Sequence, residues 1–400
     1  MKRALILILA FSIAPGIFSQ EQYDDLFLAK SLVDRGMIED AITLLDNSPK
    51  SGNDYRIQLL KGEAYISIAD YDLAIDSFTR ANMLRDNSGE LGLARVYALL
   101  NDSKSSVYHL ESHLKSSERL PQRDLLLNSD LQKIDETREW IALWKKDWYT
   151  QLEEGVAEVE YLLERNRIDD AKSVAASFSG MYSDRAEVDY INGYLSLKEG
   201  RYDNASMLLK KSIDKDQDSP RAWKKYIESL GSAGDYVSAA AAAGTATELF
   251  PELLSFYIDR AEYLRKSGER ELALAEVSGL LDYYPGNEQL TDLAGKIAYE
   301  TRNYNQALKY LSDNIENHPG SPEHYSSRGD VYLSTRTWEF AIVDYSMALD
   351  LDPFNGDVYF KKGTALIETG NLPDACHDLK MAMKLGNKKA SALIGRHCIE

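Results

Sequence analysis

The chain has 400 residues, of which 44% are hydrophobic and 28% are charged. This length exceeds one ordinary hydrophobic core, so the chain forms either several domains or an extended array of repeats. Acidic residues outnumber basic residues by 64 to 46, and the formal net charge is -18. This charge repels nucleic-acid phosphates and anionic lipid surfaces, and no cluster of Lys and Arg opposes it. We therefore expect no nucleic-acid partner.

The N-terminus has the pattern of a secretory signal peptide. Lys2 and Arg3 precede an apolar stretch over 4–13, and the small residue Ser19 provides a cleavage site. The stretch is shorter than the roughly 20 residues that span a bilayer, and no later segment is long enough. We expect a signal peptide over 1–19 and an exported mature chain without a transmembrane segment. Its location would be the periplasm or cell envelope, or outside the cell, and an uncleaved anchor is the alternative.

Three helix-turn-helix patterns follow over residues 20–114. The clearest has Gly62 and Tyr65 on a first helix, with Ala74 and Phe78 on a second. Small residues allow the two helices to approach closely, and the aromatic residues fill the space beside them. The same order recurs more regularly further along the chain.

His109 and His113 lie four residues apart on a predicted helix of the third pattern. This spacing places both imidazoles on one face, where they could hold a metal ion. Two histidines are one ligand short of a catalytic zinc site, and the intervening residues do not have the zinc-protease pattern. We interpret both as solvated helix residues.

The repeat register breaks over 115–151, which we interpret as a helical connector. Trp140, Trp144 and Trp148 occur at helical spacing and form a stripe in this segment. Such a stripe either packs against the next repeat or, if exposed, forms a docking surface for a partner.

A 34-residue period then runs over 152–387, where seven consecutive units follow one another. Alanine recurs at the same place in every unit: Ala171, Ala205, Ala239, Ala273, Ala307, Ala341 and Ala375. Prolines and glycines share the spacing at Pro251, Pro285, Pro319 and Pro353, and at Gly193, Gly295, Gly329 and Gly363. A period of this length predicts stacked supersecondary units.

Each unit is predicted to be two antiparallel helices. In the unit that ends at Pro353, Tyr325 and Gly329 share a face of the first helix, and Ala341 and Tyr345 share a face of the second. Pro353 stops the second helix because proline lacks an amide hydrogen.

The turn between the two helices requires a residue that tolerates a left-handed backbone. Five units have Gly or Asn there: Asn166, Gly200, Gly234, Gly268 and Gly370. Arg302 and Arg336 occupy the position in two other units, so we expect those turns to be looser.

The last stretch, 388–400, has an amphipathic pattern that predicts a capping helix, with Ala390, Leu393 and Ile394 facing inward. Cys376 and Cys398 are the only cysteines. A helical hairpin would place them side by side, which predicts a disulfide.

Two alternatives to the disulfide are open. The cysteines could be free buried thiols. With the adjacent His377 and His397 they could instead form a zinc site, although neighbouring residues on a helix point about 100° apart and converge poorly on one metal.

The spacing of Gly, Tyr, Ala, aromatic, Ala and Pro resembles the tetratricopeptide repeat family. The resemblance implies an all-α fold, a right-handed α-solenoid of helix-turn-helix repeats. The chain would then have an N-terminal block of about three repeats over 20–114, seven repeats over 152–387 and a C-terminal capping helix.

In this family the first helices of successive units line a concave groove that binds a partner. The matching positions here carry aromatic and basic side chains: Tyr190, Tyr194, Lys224, Arg265, Lys296 and Tyr299. The resemblance therefore implies a non-catalytic scaffold or adaptor that binds a segment of a partner protein. A receptor for a peptide or carbohydrate, using tyrosine faces for stacking, is the second hypothesis.

No phosphate loop, nucleophile elbow or paired metal-carboxylate motif is recognisable in the sequence. We therefore predict no enzymatic activity, no cofactor and no metal. An enzyme with a site at the connector is the third and weakest hypothesis, and it would require titratable groups that converge in a pocket.

Overall fold

The computed structural model describes residues 24–117 and 119–398, and every regular element in this part of the chain is a helix. The predicted all-helical solenoid is therefore confirmed. The predicted signal peptide over 1–19 lies outside the described residues. None of the helices that are described is long and apolar enough to cross a membrane.

Three helical hairpins form an N-terminal block. Their helices are α1 (Asp25–Asp34), α2 (Ile38–Asn47), α3 (Tyr55–Ser67), α4 (Tyr71–Leu84), α5 (Glu90–Leu99) and α6 (Ser103–Lys115). A connecting segment follows with short helices α7 (Gln122–Leu126) and α8 (Arg138–Leu143), and a 3-10 turn between them at Leu131–Ile134.

Seven further hairpins and a last helix make up residues 151–397 of the described chain. The first helices of the hairpins are α9 (Gln151–Glu164), α11 (Ala186–Lys198), α13 (Pro220–Ala233), α15 (Leu254–Ser267), α17 (Glu288–Glu300), α19 (Pro322–Ser334) and α21 (Gly356–Glu368). The second helices are α10 (Ile168–Ser179), α12 (Tyr202–Lys215), α14 (Tyr236–Leu249), α16 (Arg270–Tyr283), α18 (Tyr304–Asn317), α20 (Trp338–Leu351) and α22 (Leu372–Lys384). The last helix is α23 (Ala390–His397).

Small residues set the distance between the two helices of a unit. A Cβ atom added at Gly329 of α19 would lie 2.7 Å from the ring of Tyr345 on α20. Tyr345 is fully buried, and its hydroxyl donates a hydrogen bond to Asp330 at 2.8 Å. A larger residue at position 329 would therefore displace the ring that fills the centre of this unit.

The turns keep a left-handed backbone even where glycine is absent. Arg302 and Arg336 have φ angles of 60° and 58°, close to the 58° of Asn166. Each arginine is followed by the ordinary second helix, so the expected looser geometry does not occur. The cost of the left-handed conformation, about 1 kcal/mol per residue, is offset by the packing on either side.

Three units hold an ion pair between their first and second helices. The pairs occupy the same two positions of the repeat: Arg260 with Glu276, Arg328 with Asp344 and Lys362 with Asp378. In the central pair, two guanidinium nitrogens of Arg328 donate to the two carboxylate oxygens of Asp344, each at 2.8 Å. These carboxylates are buried, so each requires its cation.

The N-terminal block folds back onto the middle of the seven-hairpin block. Phe27 of α1 is completely buried, and its ring lies 4.6 Å from Tyr257, 6.1 Å from Tyr283 and 5.6 Å from Tyr284, measured between centroids. It belongs to the hydrophobic core of α15, α16 and α17. This contact joins residues that are 230 to 257 positions apart in the chain, and no repeat pattern predicts it.

The contact continues along the loop edges of both blocks. The guanidinium of Arg56 donates to the carbonyl of Leu249 at 3.2 Å, and Arg85 lies 3.9 Å from the carboxylate of Asp218. From Phe27 through Arg56 to Arg85, residues further along the N-terminal block contact residues progressively earlier in the seven-hairpin block. The two blocks therefore lie antiparallel, with the connecting segment at the bend.

The last helix covers the end of the array. Ala390 is fully buried, and Leu393 and Ile394 pack against the apolar side of α22, as the pattern predicts. The structure joins Cys376 and Cys398 in a disulfide with their Cα atoms 5.5 Å apart. The bond ties the cap to the hairpin that it covers.

We expect a Cys376→Ser/Cys398→Ser variant to lose about 3 kcal/mol from the free energy of opening α23, because the bond closes a loop with a sequence separation of 22. Hydrogen exchange of the α23 amides, compared between the oxidised chain, the reduced chain and the variant, measures this. The reduced chain should match the variant. Unchanged protection of α23 in both would show that packing alone holds the cap.

Candidate functional site

The first helices of neighbouring units form one continuous layer. Contacts join α9 with α11, α11 with α13, α13 with α15, and so on to α21, whereas the second helices of neighbouring units do not approach each other as closely. The array therefore curves with its first helices on the inside. The six candidate groove residues all lie on α11, α13, α15 and α17.

Two of the candidates are buried under basic side chains. Tyr190 and Tyr194 are 4% and 5% exposed, too little for either ring to serve as an open stacking face. The guanidinium of Arg221 lies 5.2 Å from the ring centre of Tyr190, and the ammonium of Lys225 lies 4.4 Å from that of Tyr194. Both basic residues come from α13, one unit further along, so the sequence of α11 alone gave no sign of the burial.

The Tyr190 hydroxyl donates a hydrogen bond to the carboxylate of Glu160 on α9 at 2.7 Å. The same carboxylate accepts a hydrogen bond from the guanidinium of Arg221 at 3.3 Å. Side chains of three successive first helices, α9, α11 and α13, therefore meet at Glu160. Burial and the carboxylate together raise the pKa of Tyr190 well above its ordinary value, and the phenol stays protonated.

The other four candidates are partnered within the layer. Lys224 pairs with Asp259 at 2.5 Å, and Lys296 pairs with Asp292 on its own helix at 2.5 Å. Burial raises the pKa of Asp259, and the neighbouring Lys224 opposes that rise. Lys296 keeps half of its side chain exposed.

Arg265 pairs with Glu262 at 2.8 Å and also contacts Glu300 on the next first helix. The hydroxyl oxygens of Tyr299 and Ser334 lie 2.9 Å apart. All six candidates thus lie on the inner layer, but each already forms an ion pair, a hydrogen bond or a ring contact with another side chain of that layer.

A regular spacing underlies these contacts between units. Lys224 with Asp259, Arg265 with Glu300, and Tyr299 with Ser334 are each separated by 35 residues. This is one repeat plus one residue, which brings the two side chains opposite each other on adjacent first helices. Opposite charges at this spacing are therefore a sequence signal for the inner layer.

The tryptophan stripe does not form as predicted. Helix α8 ends at Leu143, so Trp148 lies beyond it and the three rings do not share one helical face. Trp140 is buried against α5 and α6 of the preceding hairpin, and its ring centre lies 5.5 Å from that of Trp144. The Trp148 indole donates to the Leu143 carbonyl at 2.8 Å. These rings close the core of the connecting segment rather than presenting an open docking stripe.

The two histidines of α6 are also partnered, contrary to the solvated interpretation. Nδ1 of His109 lies 2.7 Å from Glu90, and Nε2 of His113 accepts the amide hydrogen of Leu120 at 3.0 Å. Burial lowers the pKa of His113 to about 4, with Glu90 opposing, so its imidazole is neutral at physiological pH. Among the described residues no three potential ligands converge on a metal position.

Residues 293–356 match a family model described as tetratricopeptide repeat, and no curated protein matches the chain. A tetratricopeptide repeat protein from Parabacteroides merdae gives a TM-score of 0.51 at 13% identity, over 62% of this chain and 99% of that one. The APC/C hetero-tetramer Cut9-Hcn1 gives 0.49 at 14% identity, over 93% and 83%. YrrB, a protein of this type with an unusual peptide-binding site, gives 0.37 at 18% identity, over 48% and 99%.

At such low identity the likeness to the Parabacteroides structure concerns the fold alone. The family match begins within α17 and ends after α20, and the same order of small and aromatic residues continues in the hairpins on either side. The tetratricopeptide repeat is thus matched over residues 293–356, and the hairpins on either side of that segment have the same fold.

Proposed function

We propose that this chain is a non-catalytic scaffold of the periplasm or cell envelope whose inner layer binds a segment of a partner protein. The observation that carries the proposal is a line of polar contacts that joins each first helix from α9 to α19 to the next one. Its members are Tyr190 with Glu160, Arg221 with Tyr190, Lys224 with Asp259, Arg265 with Glu300, and Tyr299 with Ser334. A partner segment lying along this line would meet the same kind of group in every unit, which suits an extended or helical chain.

The charges of the layer indicate how such a segment would bind. Lys224, Arg265 and Lys296 are each compensated by carboxylates, so a free anion would gain little by approaching them. A protein segment with both donors and acceptors could exchange partners with these pairs one by one. Specificity would then come from the order of its charges.

The carbohydrate hypothesis has less support. Sugar binding by stacking needs an aromatic face that is open to solvent. Tyr190 and Tyr194 lack one, and the ring of Tyr299 already lies against that of Tyr304, with 6.1 Å between the centroids. The export expectation rests on the sequence of residues 1–19.

Site-specific photocrosslinking in cells that make the chain tests this proposal. A photoreactive residue at Lys224 or Lys296 should give covalent adducts with one protein, identified by mass spectrometry, in the envelope fraction. Lys211 and Lys309, exposed on the second helices, are the matched control positions. Adducts of equal yield at all four positions, no adduct at any, or adducts found only in the cytosol would contradict the proposal.

A further inference from the structure

Helix α20 carries an apolar stripe on the outer side of the array. Phe340 and Val343 are 59% and 60% exposed, and Met347 and Leu351 continue the same face. Phe354, just beyond the helix, is 78% exposed. The opposite face of α20, which includes Tyr345, is buried against α19, so the stripe points away from the array.

The neighbouring second helices do not share this stripe. At the four corresponding positions α18 has Gln306, Lys309, Asp313 and Asn317. On α22 the first two positions are Asp374 and His377, and the last two are Met381 and Leu385. Exposure at these positions is ordinary for the fold, but among the second helices that the structure describes α20 is the one with a large apolar residue at all four of them. A continuous apolar face that remains exposed in the folded chain indicates contact with another molecule.

Two carboxylates lie beside the stripe. Successive residues of an α-helix are rotated by about 100°, which places Glu339 beside Val343 and Asp350 beside Met347, both on the same side of the stripe. Both are exposed, and neither has an ion-pair partner among residues 24–117 and 119–398. On the inner layer, by contrast, the carboxylates at the candidate positions are paired with Lys or Arg.

These charges distinguish between the possible occupants. A second copy of the chain would bring its own Glu339 and Asp350 close to these, in addition to the repulsion between two chains of net charge -18. An anionic bilayer surface is repelled in the same way. A cationic partner is attracted, and its approach leaves no like charges facing each other.

We propose that α20 is a second docking surface, separate from the inner layer, and that it binds a basic amphipathic helix of a partner protein. The apolar face of that helix would lie along Phe340, Val343, Met347 and Leu351. Its Lys or Arg residues would pair with Glu339 and Asp350. Since α20 is about 21 Å long, a partner helix of about four turns covers it. This surface does not depend on the inner layer binding anything.

The probe is a fluorescein-labelled helical peptide of about 18 residues, with Leu at helical spacing on one face and Lys on the other. Fluorescence anisotropy gives its Kd for the purified chain. We expect Phe340→Ser/Val343→Ser to weaken binding about tenfold or more, because central apolar anchors dominate interfaces of this kind. Glu339→Lys/Asp350→Lys should also weaken binding, and its effect should diminish as salt is added.

Met207→Ser is the matched control, since Met207 takes the place of Val343 on α12 and is half-exposed but has polar neighbours. It should leave Kd unchanged. Equal Kd values for the wild type and Phe340→Ser/Val343→Ser would overturn the proposal. So would a wild-type dimer in sedimentation velocity that this variant abolishes, or binding of the chain to phosphatidylglycerol vesicles that requires Phe340.

Discussion

Phe27→Ala is expected to lower the free energy of unfolding by about 4 kcal/mol and to separate the N-terminal block from residues 254–284. The ring is completely buried among Tyr257, Tyr283 and Tyr284, so truncation removes its burial and leaves a cavity. The remaining polar contacts, such as Arg56 with the Leu249 carbonyl, are too few to hold the edges together alone. Urea denaturation gives the energy, and the distance between spin labels at the half-buried Lys30 and the exposed Asp282 reports the separation.

Phe178→Ala provides a control of equal chemistry. Phe178 is 1% exposed and packs within its own part of the array, next to Gly155. Phe178→Ala should lower the free energy of unfolding by a similar amount, but the distance between the spin labels should stay the same. If Phe27→Ala leaves the distance unchanged as well, the fold-back is held by other contacts and Phe27 is only a packing residue.

The helical hairpins could be predicted because their determinants are local and periodic. Alanine and glycine at fixed positions, and a proline two residues after the end of a second helix, are visible within each unit of 34 residues. Pro251 follows α14 in this way, and Pro353 follows α20. Even Arg302 and Arg336 adopt the turn geometry, because the hairpins on either side impose it. Because the residues of every unit favour the same hairpin, the repeat register continues through a unit in which one position departs from the pattern.

The fold-back could not be predicted, because it depends on the summed geometry of many units. Small rotations between successive hairpins add up and determine the position of α1 relative to α15 and α16. No periodic pattern in the sequence links Phe27 to residues more than 200 positions later. The candidate groove residues show the same limit at shorter range. Tyr190 and Tyr194 lie on the expected helix, but side chains of the following unit decide that they are buried.

The tryptophan stripe illustrates a different limit. Helical spacing of Trp140, Trp144 and Trp148 is meaningful only if one helix includes all three, and α8 ends at Leu143. Beyond that point the chain turns, and the indole of Trp148 bonds to the backbone carbonyl of Leu143. The side-chain pattern predicted hydrophobic packing here but could not define the end of the helix.

Arg328→Met is expected to cost about 4 kcal/mol, because it leaves the carboxylate of Asp344 buried without its cation. Asp344 is 3% exposed and takes two hydrogen bonds of 2.8 Å from Arg328, which also reaches the Ser312 hydroxyl of the preceding unit at 3.1 Å. Adding Asp344→Leu should restore most of the loss, since an apolar pair of similar volume needs no counter-charge. Urea denaturation of the two single variants and the double variant measures the coupling.

The double variant should lie within about 1 kcal/mol of the wild type, and each single variant should be much less stable. Equal destabilisation by Arg328→Met and by the double variant would mean that Arg328 acts through packing and its bond to Ser312 rather than through the charge of Asp344. Arg260 and Glu276 occupy the same two positions two units earlier, so Arg260→Met with Glu276→Leu repeats the cycle independently. Equal coupling energies in the two cycles would show that a buried ion pair stabilises the repeat wherever these two positions carry opposite charges.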